Sequence, residues 1–248
     1  MRSLLLAGTA LALLASPAHA FNFGLIGQVG NNNDTGNSTQ LDAPGVVGDY
    51  TSGNIGVGLS VGDDNHLQIK QRAHYWSLNT AGGLQVGDDN WQETDQETSQ
   101  GSGFFLPPIC FPAPGCNWVN TPAVVVPFQV NSNTAFTVQV GNSNYSYTYQ
   151  RGGVGPGNYS GTLQVGWANG NAVFQVGGSS QETVQLGFLN GSVTGQFGVG
   201  NRAETYQIGV LNGQITLTAG NGNRVSTTQI GALNGSATLQ LGNYNESD

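Results

Sequence analysis

Glu93, Asp95 and Glu97 stand at alternate positions, the spacing that would put three carboxyl groups on one face of a strand. Paired carboxylates can protonate and attack a glycosidic bond, but these three lie at the edge of a proline-rich segment and have no acidic partner at a matching position. His66 and His74 have no Ser, Cys or acidic residue at a recognisable catalytic spacing. The turns Gly62-Asp63-Asp64-Asn65 and Gly87-Asp88-Asp89-Asn90 offer oxygen ligands, yet they lack the glycine and acidic spacing of calcium-binding β-roll repeats. They read better as charged turn residues that discourage premature stacking. The expectation is a protein that is not an enzyme and uses no cofactor and no metal.

The chemistry that the sequence does concentrate is that of the side-chain amide. The 248 residues include 39 Gly, 26 Asn and 20 Gln, about a third of the chain, while charged residues make up 8% against roughly a quarter in an ordinary domain. Gly and Asn are poor helix formers, so helices are not expected. A formal net charge of −8 with only six Lys and Arg argues against contacts with nucleic acid.

The first twenty residues have a secretory leader's three parts: Arg2, the apolar stretch Leu4 to Leu14, and the small-x-small site Ala18-His19-Ala20. The mature start is expected at Phe21, with the protein secreted to the extracellular space or cell surface. In that setting Cys110 and Cys116, the only cysteines, are expected to form a disulfide in preference to a metal site or a nucleophile.

Repeats set the architecture. From Gln164 a pattern Gln-x-Gly-x-x-Asn recurs with Gln at 164, 175, 185, 196, 207, 229 and 240, and with Thr218 in Gln's place, at steps of eleven residues and once ten. Its asparagines are Asn169, Asn190, Asn201, Asn212, Asn223, Asn234 and Asn245, with Ser180 read as the substitute in the short unit. Units at 185, 207 and 229 (QLGFLNG, QIGVLNG, QIGALNG) differ from those between them, so the true repeat is 22 residues with two unlike halves. Nine residues from Asn to Gly alternate as a strand and the two residues after Gly turn the chain. Two strands and two arcs make one coil of an all-β solenoid whose coils stack at ~4.8 Å.

Worn copies precede these: Gln28 to Asn33, Gly62 to Asn65, Gln85 to Asn90, Gln139 to Asn144, and a divergent unit with His74, Trp76 and Asn79. Spacing breaks at Asp42 to Asn54, Arg72 to Ala73 and Arg151 to Ser160. The chain is thus read as a leader 1–20, divergent repeats 21–95, a proline-rich cysteine loop 96–127, divergent repeats with a Gly-rich loop 128–163, and regular repeats 164–248. The loop holds six of the nine prolines and is read as an excursion from the stack.

The consensus Gln-x-Gly-x-x-Asn-x-x-x-x-x-Gln, two strands per 22 residues behind a leader, resembles the curlin repeat of bacterial curli subunits. The clearest matches run from Gln185 to Gln196, Gln196 to Gln207, Gln207 to Asn212 and Gln229 to Gln240. The resemblance implies an extracellular amyloid subunit or nucleator of biofilm matrix and cell adhesion. Its implied partners are copies of itself, other curlin-like subunits and an outer-membrane secretion pore. The proline-rich loop and the cysteine pair depart from that pattern. The alternative reading is a monomeric cell-surface β-solenoid adhesin that binds glycan or another surface.

Stacked identical amides can bond along the stack. Gln185, Gln207 and Gln229 would form one ladder and Gln196 and Gln240 the opposite one, broken at Thr218. Thr183, Thr194, Thr205, Thr216, Thr227 and Thr238 are read as a further row. Alternation defines two faces without saying which is inside. Burial of apolar surface, ~25 cal/mol per Å², would turn Val165, Leu186, Phe197, Ile208, Ile230 and Leu241 inward, whereas the curlin resemblance puts Gln and Asn there, and that orientation is the one expected. The sequence ends three residues after Asn245, within a half-finished unit, which favours an open edge and assembly over a capped monomer.

Overall fold

A computed structural model describes residues 21–41, 52–73, 77–98, 102–106, 124–129, 131–152 and 156–248. These residues are all-β and contain no helix; they form a β-solenoid of parallel stacked strands. The strands are β1 (Phe21–Val29), β2 (Asp34–Leu41), β3 (Ser52–Val61), β4 (His66–Ala73), β5 (Ser77–Val86), β6 (Trp91–Thr98), β7 (Ser102–Leu106), β8 (Val124–Gln129), β9 (Asn131–Asn142), β10 (Tyr145–Gly152), β11 (Tyr159–Trp167), β12 (Gly170–Phe188), β13 (Gly191–Val210), β14 (Gly213–Ala219), β15 (Arg224–Ala232), β16 (Gly235–Leu241) and β17 (Glu246–Ser247).

Two columns result. One stacks β1, β3, β5, β9, β11, the second halves of β12 and β13, then β15 and β17. The other stacks β2, β4, β6, β10, the first halves of β12 and β13, then β14 and β16. All these pairings are parallel. β7 and β8 instead pair antiparallel in a separate two-stranded sheet, off the columns.

Strict alternation gives each strand its two faces, as in β6, whose residues alternate between partly exposed and buried along its whole length. The inward face is polar: Gln85, Gln139, Gln164, Gln185 and Gln207 are fully buried on one side and Gln96, Gln150, Gln175 and Gln196 on the other. Outward, Phe197, Ile208 and Leu217 are 44%, 42% and 39% exposed. The amide face is therefore the inner one, as expected, although apolar burial alone favours the reverse. Buried amides are tolerated because most of them find hydrogen-bond partners, and the apolar rows are half covered by their equivalents in adjacent coils.

One apolar cluster interrupts this amide interior: Leu67, Ile69 and Ala81. Space for it comes from glycines on the facing strands. A Cβ at Gly58 would lie 2.8 Å from Leu67 Cδ2, and one at Gly83 would lie 2.9 Å from Leu67 Cδ1 and 2.6 Å from Gln92 Nε2.

The arcs close the coils. Gly209 adopts φ +128°, and a Cβ there would stand 1.8 Å from the Gly231 carbonyl oxygen of the next coil, so only glycine fits. Two residues later Leu211 has φ 55°, like Leu189 and Leu233 in equivalent arcs. This left-handed conformation is unfavourable for a bulky residue. Stacking holds it: Leu211 N donates to Phe188 O and Leu233 N to Val210 O, both at 3.0 Å.

Several boundaries differ from the sequence reading. Gln96, assigned to the loop, lies within β6, which continues to Thr98, because its amide bonds hold it in the column. Arg72 and Ala73 belong to β4 and Asn54 to β3. The six threonines form two rows, Thr183–Thr205–Thr227 and Thr194–Thr216–Thr238, since alternate units fall in opposite columns. The stand-in for Asn in the short unit is Ser179, not Ser180. Its Oγ donates to Gly198 O at 3.1 Å, the bond an Asn makes elsewhere, and the register shift between Gly178 and Ser180 absorbs the missing residue. His74, Trp76, Cys110 and Cys116, and the leader 1–20, lie outside the described residues.

Candidate functional site

Four amide columns run along the solenoid, and they bring together most of the residues singled out by spacing. In the first, Nε2 of each Gln donates to Oε1 of the next: Gln85 to Gln139 at 3.0 Å, Gln139 to Gln164 at 2.9 Å, Gln164 to Gln185 at 2.8 Å, Gln185 to Gln207 at 2.9 Å and Gln207 to Gln229 at 2.8 Å. In the second, Gln71, Gln96, Gln150, Gln175 and Gln196 are linked in the same sense at 2.7–2.9 Å. The second column stops at Thr218, so Gln240 is not bonded to Gln196; its Nε2 donates to Arg224 O at 3.0 Å.

Nε2 carries a second proton, and the opposite wall takes it. Gln185 donates to Gly170 O at 2.8 Å and Gln207 to Gly191 O at 3.0 Å. Each carboxamide thus ties its coil both to the next coil and across the narrow interior, which answers the desolvation cost of burying it.

Asparagines form the other two columns at the strand entrances. Asn169 Nδ2 donates to Asn144 Oδ1 at 3.2 Å, Asn190 to Asn169 at 3.0 Å, Asn212 to Asn190 at 2.9 Å and Asn234 to Asn212 at 2.8 Å. Opposite them, Asn223 donates to Asn201 at 3.1 Å and Asn245 to Asn223 at 2.9 Å. These Asn amides also clamp the arc glycines, for example Asn190 to Gly209 O at 3.0 Å and Asn212 to Gly231 O at 3.1 Å.

The sequence reading missed a third kind of ladder, on the outside of the arcs. Asp63 Oδ1 accepts from Asn31 N at 2.7 Å, Asp88 Oδ1 from Asp63 N at 2.9 Å and Asn142 Oδ1 from Asp88 N at 3.2 Å. The signal was an Asx residue directly after Gly30, Gly62, Gly87 and Gly141. These aspartates are therefore bound into the stack by backbone amides.

Glu93, Asp95 and Glu97 occupy the outer face of β6 between two charged or phenolic rows. Lys70 Nζ pairs with Glu93, and Arg151 Nε lies 4.0 Å from Glu97. Register places Asp95 between Lys70 and Tyr149. Burial pushes the Asp95 carboxyl above its ordinary range, with Lys70 opposing and Glu93 and Glu97 adding to the rise. This is a cross-strand charge array on the outer face of the sheet.

His66, Trp91 and Tyr145 begin three successive strands and stack face to face, with ring centroids 5.4 and 4.6 Å apart and planes within 10°. His66 Nδ1 also lies 3.0 Å from Asp34 Oδ2. No protein-family model matches this chain, and neither the curated proteins nor the solved structures contain a match to it.

Proposed function

We propose that the chain is a structural subunit, or a nucleator, of an extracellular amyloid-like fibre built by coil stacking. The observation that carries this reading is the amide ladder. Each bond joins equivalent atoms of consecutive coils, so the same bonds can form between coils of two copies, and the ladder has no built-in length. The outward apolar rows add a second contribution: Ile230, Leu233 and Leu239 are 71%, 76% and 63% exposed, against 42%, 46% and 39% for Ile208, Leu211 and Leu217 one coil earlier. A further coil of the same pattern would cover them.

Secretion behind the leader, passage through an outer-membrane pore, and roles in biofilm matrix and adhesion rest on the curlin-like repeat. The test is incubation of purified Phe21 to Asp248. The expected result is fibres with a ~4.7 Å meridional repeat, after a lag that seeds shorten. A protein that stays monomeric for days at high concentration, seeded or not, overturns the proposal.

A further inference from the structure

The Gln columns leave buried carboxamide oxygens without partners at Gln71, Gln85 and Gln240. In register, these glutamines follow Thr39, Ser60 and Thr218. Wherever the preceding residue of the column is Gln, its Nε2 fills the acceptor, as from Gln175 to Gln196 or from Gln207 to Gln229. The orphan oxygens therefore mark the places where a hydroxyl residue has replaced an amide, and at Ser60 and Thr218 the hydroxyl oxygen is also without a partner.

At Thr218 the surroundings specify what is missing. Gln196 Nε2 donates to Ser180 O at 3.0 Å, and its second proton points along the column to a position where Thr218 supplies no amide oxygen. In the coils before and after, Gln donates to the carbonyl sixteen residues earlier, Gln196 to Ser180 and Gln240 to Arg224. The equivalent carbonyl for Thr218 is that of Arg202, to which threonine has no amide to offer. Gln196 and Thr218 are fully buried and Gln240 is 6% exposed. Shortening Gln to Thr frees about one water's share of liquid volume, roughly 30 Å³, and a buried water typically makes two to four hydrogen bonds.

We infer that one buried water molecule replaces the absent carboxamide at Thr218. It accepts from Gln196 Nε2 and Thr218 Oγ1 and donates to Arg202 O and Gln240 Oε1, which uses both its protons and both its lone pairs. Ser60 and Gln85 present the same pair of orphan atoms, but there Nε2 of the preceding Gln28 already donates to Asn33 O and Thr35 Oγ1. The inference does not depend on fibre assembly, since it concerns the interior of a single chain.

The test is water-to-protein cross-relaxation NMR on the full mature chain, in solution or, for fibres, under magic-angle spinning. A long-lived water should show cross peaks to the side-chain amide protons of Gln196 and Gln240. Thr218→Gln should remove those peaks and raise the unfolding temperature, because the carboxamide takes over all the water's bonds. Thr218→Val keeps the shape and removes one donor, and should shorten the water's residence at least tenfold. Absence of the water signal in the unmodified chain overturns the assignment, as do water signals unchanged in both variants.

Discussion

Gln185 donates one proton to Gln207 Oε1 at 2.9 Å and the other to Gly170 O at 2.8 Å. That double use of one nitrogen explains how a polar interior holds two sheets together. The first bond runs along the stack and the second across it, so neither the coil spacing nor the width of the interior can change without breaking one of them.

Replacing Gln207 and Asn212 by Leu strands the amides of Gln185, Gln229, Asn190 and Asn234, which now bond to them. Each buried group left unsatisfied costs about 1–3 kcal/mol. Thermal unfolding of the double variant should therefore drop sharply and fibre formation slow with it. Ile208→Ser with Leu217→Ser alters positions that are 42% and 39% exposed, and should lower the unfolding midpoint less than the amide replacements do while weakening lateral bundling in electron micrographs.

Gly209 and Gly191 should behave in opposite ways. Gly209→Ala places a methyl 1.8 Å from a backbone oxygen at φ +128°; the backbone conformation alone costs about 1–3 kcal/mol and the clash adds to it. Gly191 has nothing within 4 Å of a Cβ and ordinary φ, so Gly191→Ala should stabilise by about 0.4–1 kcal/mol through the unfolded chain. Denaturant titration of both variants checks the contrast.

The cluster around Leu67 should show strong coupling. Leu67→Ala opens a cavity and should cost about 2–5 kcal/mol, while Gly58→Ala forces a methyl to 2.8 Å from Leu67 Cδ2 and should cost about 1–3 kcal/mol. Together they should cost clearly less than the sum, since each relieves the other, and a double-mutant cycle measures the difference.

Asp95 gives a pH dependence. Its carboxyl range is raised in the folded chain, chiefly by burial, so the folded state binds the proton more readily than the unfolded one. The stabilisation from protonated Asp95 is full below the ordinary carboxylate value and is lost as pH rises through the raised one. Asp95→Asn should therefore raise the melting temperature at neutral pH, and the gain should vanish in acid.

The eleven-residue step made the columns readable from sequence, because a strand of odd length with a two-residue arc returns each Gln to the same side. Ser179 escaped assignment for a physical reason, since the register shift beside it hides the step; Gln96 follows Gln85 at that same eleven-residue step and was legible. The splitting of the threonine row follows from the two unlike half-repeats, which alternate between columns. Leu67 and Ile69 were not legible as core, since the glycines that make room for Leu67, Gly58 and Gly83, stand on the facing column rather than in its own strand. Which face is inward could not come from hydrophobicity, because the balance depends on satisfied amides that alternation does not display.

The ladder bonds lie along the solenoid axis and link residues 22 apart in the regular coils. Tension applied along that axis at the C-terminal end loads one coil boundary at a time, as when a strip of tape is peeled. A single-molecule pulling trace should show a sawtooth whose steps each release one coil, about 70–80 Å of contour at ~3.3–3.6 Å per residue. Built as a spring of near-identical rungs, the molecule would yield in small increments and dissipate energy at each one, whereas a single cooperative core would fail at once.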